Sequence, residues 1–179
     1  MLSNSQRRIH RELGIPANYG AAGRPRFYAE TARLVEVGPN VVGRVQQLAP
    51  DAAECWFRMV GEADRDGVKL LIVSGFRSFE YQAGLIRKKL EAGQPIADIL
   101  TVNAAPGYSQ HHTGAAIDIA TPGSRPLTEE FEATEAFAWL GDRAADFGFG
   151  MSYPRNNPDG FIYEPWHWAL REAGSGGSV

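Results

Sequence analysis

The chain has 179 residues, 44% of them hydrophobic and 22% charged, with a formal net charge of −3. That is enough for one domain with a real core, and it excludes disordered and collagen-like readings. The acidic balance gives no reason to expect nucleic acid as a partner, no apolar run nears the ~20 residues of a transmembrane segment, and a single cysteine, Cys55, rules out an intrachain disulfide.

In chain order, residues 4–13 read as a short helix stopped by Gly14 and Pro16, and its His10 as a solvated residue of a polar helix. The start "MLSNSQRRIHRELG" lacks the apolar core of a secretory signal. The chain as it stands is therefore expected in the cytoplasm, or in the periplasm or cell wall had a leader been removed. "FYAETARLVEV", residues 27–37, reads as a second helix ended by Gly38-Pro39. After Pro50 comes an amphipathic helix with Asp51 as N-cap and Gly67 past its end, on which Cys55 is expected as a buried, inert thiol. "VKLLIVSGF" reads as a buried strand, and Ser78 caps the helix that follows. "AAIDIA" alternates as a strand. "TEAFAWLGDRAADFG" puts Phe137, Leu140, Ala144 and Phe147 on one helical face, with Thr134 as cap and Gly148 as stop. "WHWAL" forms a last strand. Helices first, then strands and helices without strict alternation, give an α+β class: helices packed on a small, mostly antiparallel sheet. The domain is expected to span 1–172, with a helical layer over about 1–66 and a flexible tail at 173–179. No glycine-rich dinucleotide or phosphate loop is present.

The chain holds four histidines, two of them adjacent in "SQHHTGAAID". A hydrolytic zinc site needs three protein ligands and one open position, and His111, Asp118 and His167 can supply the three. Asp118 lies mid-strand in an apolar segment. It is either a ligand whose desolvation a cation offsets, or an edge-strand aspartate bonded to backbone. The Thr113-Gly114 turn can bring His111 back beside it. His167, flanked by two tryptophans that point the other way on a strand, is a ligand or a core histidine satisfied by a carbonyl. Glu164, three residues earlier and next to Pro165, is a general base or a surface-loop glutamate. Arg77, after the strand "LLIV", is an oxyanion or carboxylate binder or a loop arginine in a surface ion pair. Their joint occurrence favours the metal site over each separate alternative.

Three stretches carry a resemblance. Ser109 to Asp118 matches S-x-H-x-x-G-x-A-x-D, Glu164-Pro165-Trp166-His167 matches E-x-W-H, and Ser74-Gly75-Phe76-Arg77-Ser78 with Gln82 resembles S-G-[FY]-R-S-x-x-x-Q. Together they resemble the signature of the VanY-like D-alanyl-D-alanine carboxypeptidases, zinc peptidases that share the hedgehog/DD-peptidase fold. The resemblance implies one Zn²⁺ held by His111, Asp118 and His167, Glu164 as base, Arg77 on the substrate carbonyl or carboxylate, and Ser109 and Gln82 lining the substrate site. His112 is not a ligand in this pattern. The implied activity is removal of a C-terminal D-residue from peptidoglycan-type stem peptides. An L,D-carboxypeptidase or a stem endopeptidase would use the same zinc site, and a non-catalytic module binding cell-wall peptide is the alternative of another class. The sequence gives no oligomeric state.

Overall fold

A computed structural model describes residues 1–171. The expected tail, 173–179, lies outside the described residues. The chain runs through α1 (Asn4–Glu12), β1 (Val35–Pro39), β2 (Val45–Leu48), α2 (Pro50–Arg65), β3 (Leu71–Ser74), α3 (Phe79–Glu91), α4 (Ile96–Val102), β4 (Ala116–Ala120), α5 (Glu135–Arg143), β5 (Phe149–Met151) and β6 (His167–Leu170). Short 3₁₀ turns cover Gln110–Thr113, Glu129–Ala133 and Ala144–Phe147. The class is α+β, as the order of elements predicts.

The sheet that matters is four-stranded and antiparallel, in the order β3-β4-β6-β5. β4 is therefore an inner strand, and all five of its residues are buried. This disposes of the edge-strand reading of Asp118. Ile117 and Ile119 join the main core with Ala52, Trp56 and Met59 of α2 and Leu140 of α5. Alternation then turns Asp118 to the other side of the sheet. A second apolar cluster, including Leu13, Ala83, Ile86 and Ile99, ties α1, α3 and α4 together.

The N-terminal third departs from expectation. Residues 27–37 do not form a helix. Their backbone binds partners far along the chain: the Tyr28 amide donates to the Gly107 carbonyl at 2.7 Å and the Thr31 amide to that of His112 at 2.9 Å. Val35–Pro39 then pairs antiparallel with Val45–Leu48. The layer over 1–66 is thus two helices and a two-stranded hairpin. α2 starts two residues earlier than a cap at Asp51 would place it. Ala49 is its N-cap, without a side-chain bond, and Pro50 occupies the first helical position, where a missing amide does no harm. Cys55 is half-buried against the core, not fully buried. His10 is not solvated. It is buried, donates from Nε2 to the Pro106 carbonyl at 2.8 Å and stacks on Phe79. The caps Ser78 and Thr134 each accept from the amide three residues on.

Candidate active site

Register builds the site. In the β4–β6 pair Asp118 is the Cα partner of His167, and in the β3–β4 pair it is the partner of Ser74. One row across the sheet therefore reads Ser74, Asp118, His167. His111 arrives from the 3₁₀ turn before β4, which ends at Gly114 in the left-handed conformation with φ +67°. A Cβ at Gly114 would lie 2.7 Å from the Ala49 amide nitrogen, so only glycine lets the chain turn here and return into β4.

His111, Asp118 and His167 offer one ligand atom each within 4.8 Å of one another, and all three side chains are buried. Nε2 of His111 lies 3.3 Å from Oδ2 of Asp118, and Nδ1 of His167 lies 2.9 Å from Oδ1. The outward nitrogens are fixed by acceptors. His111 Nδ1 donates to the Gly75 carbonyl at 2.7 Å, and His167 Nε2 donates to Oε1 of Gln110 at 2.9 Å. In the neutral rings the inward nitrogens are then bare lone pairs aimed at a carboxylate.

Charge states follow from the surroundings. Burial, then the neighbouring Arg77 charge, pull His111 down to about 4, so it is neutral near pH 7. Burial works against the Asp118 carboxylate, but the adjacent His111 ring and the Arg77 guanidinium outweigh it and hold it well below the ordinary range. Two imidazoles and one carboxylate with converging ligand atoms are a donor set that a divalent cation satisfies. They suit zinc in ligand type and number. The outer bonds to Gly75 and Gln110 orient the rings as they do around bound metals.

The other expected residues surround this set. Arg77 donates from Nη2 to Oδ2 of Asp118 and from Nε to Ser74 Oγ at 2.8 Å. It therefore braces the ligand carboxylate as well as lining the groove. Glu164 is buried, with Oε2 3.9 Å from Nδ1 of His167. Burial, reinforced by the Asp118 charge, pushes its carboxyl up to about 8, against the pull of Arg77 and Lys89. Pro165 lies within the turn that carries it, closed by the His167 amide donating to the Glu164 carbonyl at 3.1 Å. The flanking Trp166 and Trp168 join the main core. Ser109 is buried, and its Oγ accepts from the His111 amide at 3.3 Å. Gln82 donates to the Ala104 carbonyl at 2.9 Å, while its Oε1 is buried with no partner among the described residues.

His112 stays out of the cluster. Its Nδ1 donates to the Arg77 carbonyl at 2.6 Å, and Nε2 accepts from the Gly107 amide at 2.9 Å. It pins the loop that carries Arg77. Sequence reasoning did not single out Gln110, or Tyr153, whose ring lies 4.7 Å from that of His167, or Lys89 in the groove wall. Gln110 stood inside the quoted motif, but nothing local tells which side chain it will meet.

An antiparallel sheet presenting an imidazole–carboxylate–imidazole set, with a separate buried carboxylate beside it and helices packed against the sheet, is the architecture of the hedgehog/DD-peptidase fold. Residues 45–172 match the VanY family, D-alanyl-D-alanine carboxypeptidase. The chain belongs to that family. It is 35% identical over 167 residues to the putative carboxypeptidase YodJ of Bacillus subtilis, covering 89% of this chain and 57% of that protein. It is 31% identical over 116 residues to a D-alanyl-D-alanine carboxypeptidase of Enterococcus faecalis, covering 59% of this chain and 41% of the other. The chain thus spans about half the length of these two relatives. Among solved structures, the LdcB LD-carboxypeptidase superposes with a TM-score of 0.70 at 30% identity, over 79% of this chain and 69% of the other. A VanY D,D-pentapeptidase in complex with Zn(II) superposes with a TM-score of 0.63 at 24% identity, over 82% and 84%, a likeness of fold.

Proposed function

We propose that this chain is a zinc-dependent carboxypeptidase that hydrolyses the bond before a C-terminal D-residue in peptidoglycan-type stem peptides. The observation that carries the reading is Glu164: a buried carboxylate, held beside the three-residue set but outside it. A closed structural metal site has no use for such a group and prefers a fourth protein ligand.

Zinc held by His111 Nε2, Asp118 and His167 Nδ1 would supply Lewis acidity that polarises the scissile carbonyl and acidifies water toward neutral pH. The protein's own groups do the rest. Glu164 takes a proton from the attacking water and hands it to the leaving amine, so one carboxylate serves as base and then acid. Arg77 keeps Nη1 without a protein acceptor among the described residues. That amino group donates to the carbonyl oxygen as negative charge develops, or to the substrate's terminal carboxylate. Ser109 and Gln82 line the groove of about 720 Å³ that receives the peptide; Gln82 Oε1 waits there for a donor. Two solved structures of the same fold, VanYB and the D,D-dipeptidase VanXYg, carry D-alanyl-D-alanine and a phosphinate analogue of it respectively, in keeping with this substrate class.

A second reading, an L,D-carboxypeptidase acting on tetrapeptide stems, is favoured by the 30% identity to LdcB. Purified protein incubated with defined tri-, tetra- and pentapeptide stems, with product masses measured before and after chelation, separates the two. Loss of one residue from the pentapeptide supports the first and from the tetrapeptide the second. Equal activity of the wild type and Glu164→Gln removes the assigned base. Binding without cleavage by both makes the chain a peptide-binding module.

A further inference from the structure

The groove wall contains a cation that the proposed chemistry does not use. Lys89 lies seven residues after Gln82 on α3, two helical turns along the same face. It is half-buried, and its Nζ donates to Oδ1 of Asn103, the residue that ends α4. Asn103 also lines the groove, and its Nδ2 has no partner among the described residues. No carboxylate forms an ion pair with Lys89 among the described residues. The charge that acts on it is Glu164, across the groove, and burial draws its ammonium down against that help. Leu85, Val102 and Ile162 line the same groove, Val102 and Ile162 with their side chains exposed. A half-desolvated ammonium next to a free amide donor, with only a neutral partner, is arranged to receive an anion.

A surface tie between α3 and α4 would need neither the groove-facing position nor the vacant amide. The terminal carboxylate of a stem peptide already has Arg77 at the reacting centre. Stem peptides carry further carboxylates upstream of the cleaved bond: the free α-carboxylate of an isoglutamyl residue and, in some stems, the free carboxylate of a diaminopimelyl residue.

We propose that Lys89 and Asn103 form a subsite for a second substrate carboxylate, borne by a residue upstream of the scissile bond. This rests on the peptidase reading, and makes the chain selective for stems that keep that acid free over amidated or lysine-containing ones.

Four peptides test it: a parent stem with every carboxylate free, and versions with isoglutamine for isoglutamate, lysine for diaminopimelate, or a C-terminal amide. Dissociation constants are measured by calorimetry in Glu164→Gln protein loaded with Zn²⁺, with and without Lys89→Met, and kcat/KM is measured in the Glu164-containing pair. Loss of one charged hydrogen bond predicts a fall of about 10–100-fold for Lys89→Met on the parent. Either the isoglutamine or the lysine peptide should show the same fall in the parent protein and no further fall in the variant. That peptide identifies the carboxylate, and Lys89→Arg should restore discrimination. Equal loss on all four peptides, no loss, coupling to the terminal amide alone, or no peptide binding overturns the subsite. If the peptides bind with Lys89-dependent selectivity but none is cleaved, the peptidase reading fails and the subsite stands. A lysine that merely ties two helices would lower thermal stability without changing the ratio between peptides.

Discussion

Asp118 and His167 face each other as Cα partners in the β4–β6 pair, and Nδ1 of the imidazole lies 2.9 Å from Oδ1 of the carboxylate. The ladder itself sets this distance, since side chains directly opposite in an antiparallel pair point to the same face. Two of the three candidate ligands are therefore placed by strand register before any metal arrives. Only His111 depends on a turn.

Asp118 does two jobs, and Asp118→Asn separates them. It would offer an oxygen to a bound cation, and it accepts from Arg77, whose side chain is itself largely buried. The variant is expected to lose metal affinity by more than the roughly 10–100-fold that an outer partner contributes. Competition against a chromophoric chelator measures it. The metal-free variant should also unfold more readily by about 3–5 kcal/mol, because a buried guanidinium is left without its anion. Unchanged denaturant midpoints would show that the Arg77–Asp118 pair is not what holds this part of the sheet.

Gln110 controls the site from behind. By accepting from His167 Nε2 it keeps the Nδ1 lone pair turned inward. Gln110→Leu removes the acceptor with little change in volume. Affinity for Zn²⁺ should fall about 10–100-fold, while Gln110→Glu, which still accepts, should retain it. The same chelator competition reads both, with no substrate required.

These two residues also show what a sequence can reveal. His111, Asp118, His167 and Glu164 were legible because rare side chains stood in short, rigid frames: a glycine-ended turn, an apolar strand and a proline turn. Gln110 was not, because its partner is 57 residues away and a polar residue in a loop gives no sign of what it will meet. His10 misled for the same reason. Its helix is rich in arginine, yet a carbonyl 96 residues on buries it. The hairpin at 35–48 was missed because its strands are four or five residues long and mostly exposed. The apolar spacing of 27–37 mimicked a helix while the backbone bonds went to Gly107 and His112. Short-range pattern pointed to residues that the fold brings together, and tertiary contact decided the layer around them.

Gly114 is the joint that returns His111 to β4. Gly114→Ala forces a side chain into the left-handed region and against the Ala49 amide, which donates to the Gly114 carbonyl at 2.9 Å. The conformational penalty is about 1–2 kcal/mol before any clash. A domain of this size should melt roughly 4–8 °C lower once both are counted. Differential scanning calorimetry of the metal-free proteins tests it, and an unchanged melting temperature would mean that the turn relaxes freely.

The metal-free protein should carry a pH signature of Glu164. Its carboxyl is raised from 4.5 to about 8 in the fold, so the native state holds a proton that the unfolded chain releases. The stabilisation is complete below the unfolded value and disappears as pH rises toward 8, with a slope of up to about 1.4 kcal/mol per pH unit. His111, lowered from 6.5 to about 4, acts with the opposite sign: its contribution grows with pH between those values and is level above them. The two therefore oppose each other below pH 6.5; above it the His111 contribution is level while that of Glu164 still changes, and the comparison with Glu164→Gln isolates it from the other shifted groups. Urea unfolding of metal-free wild type and Glu164→Gln between pH 5 and 9 should give a difference that shrinks steadily until about pH 8 and then stays constant. Saturating Zn²⁺ favours the ionised carboxylate and should flatten that difference. Parallel curves for the two metal-free proteins would place the Glu164 proton elsewhere and remove the reason for calling it a poised base.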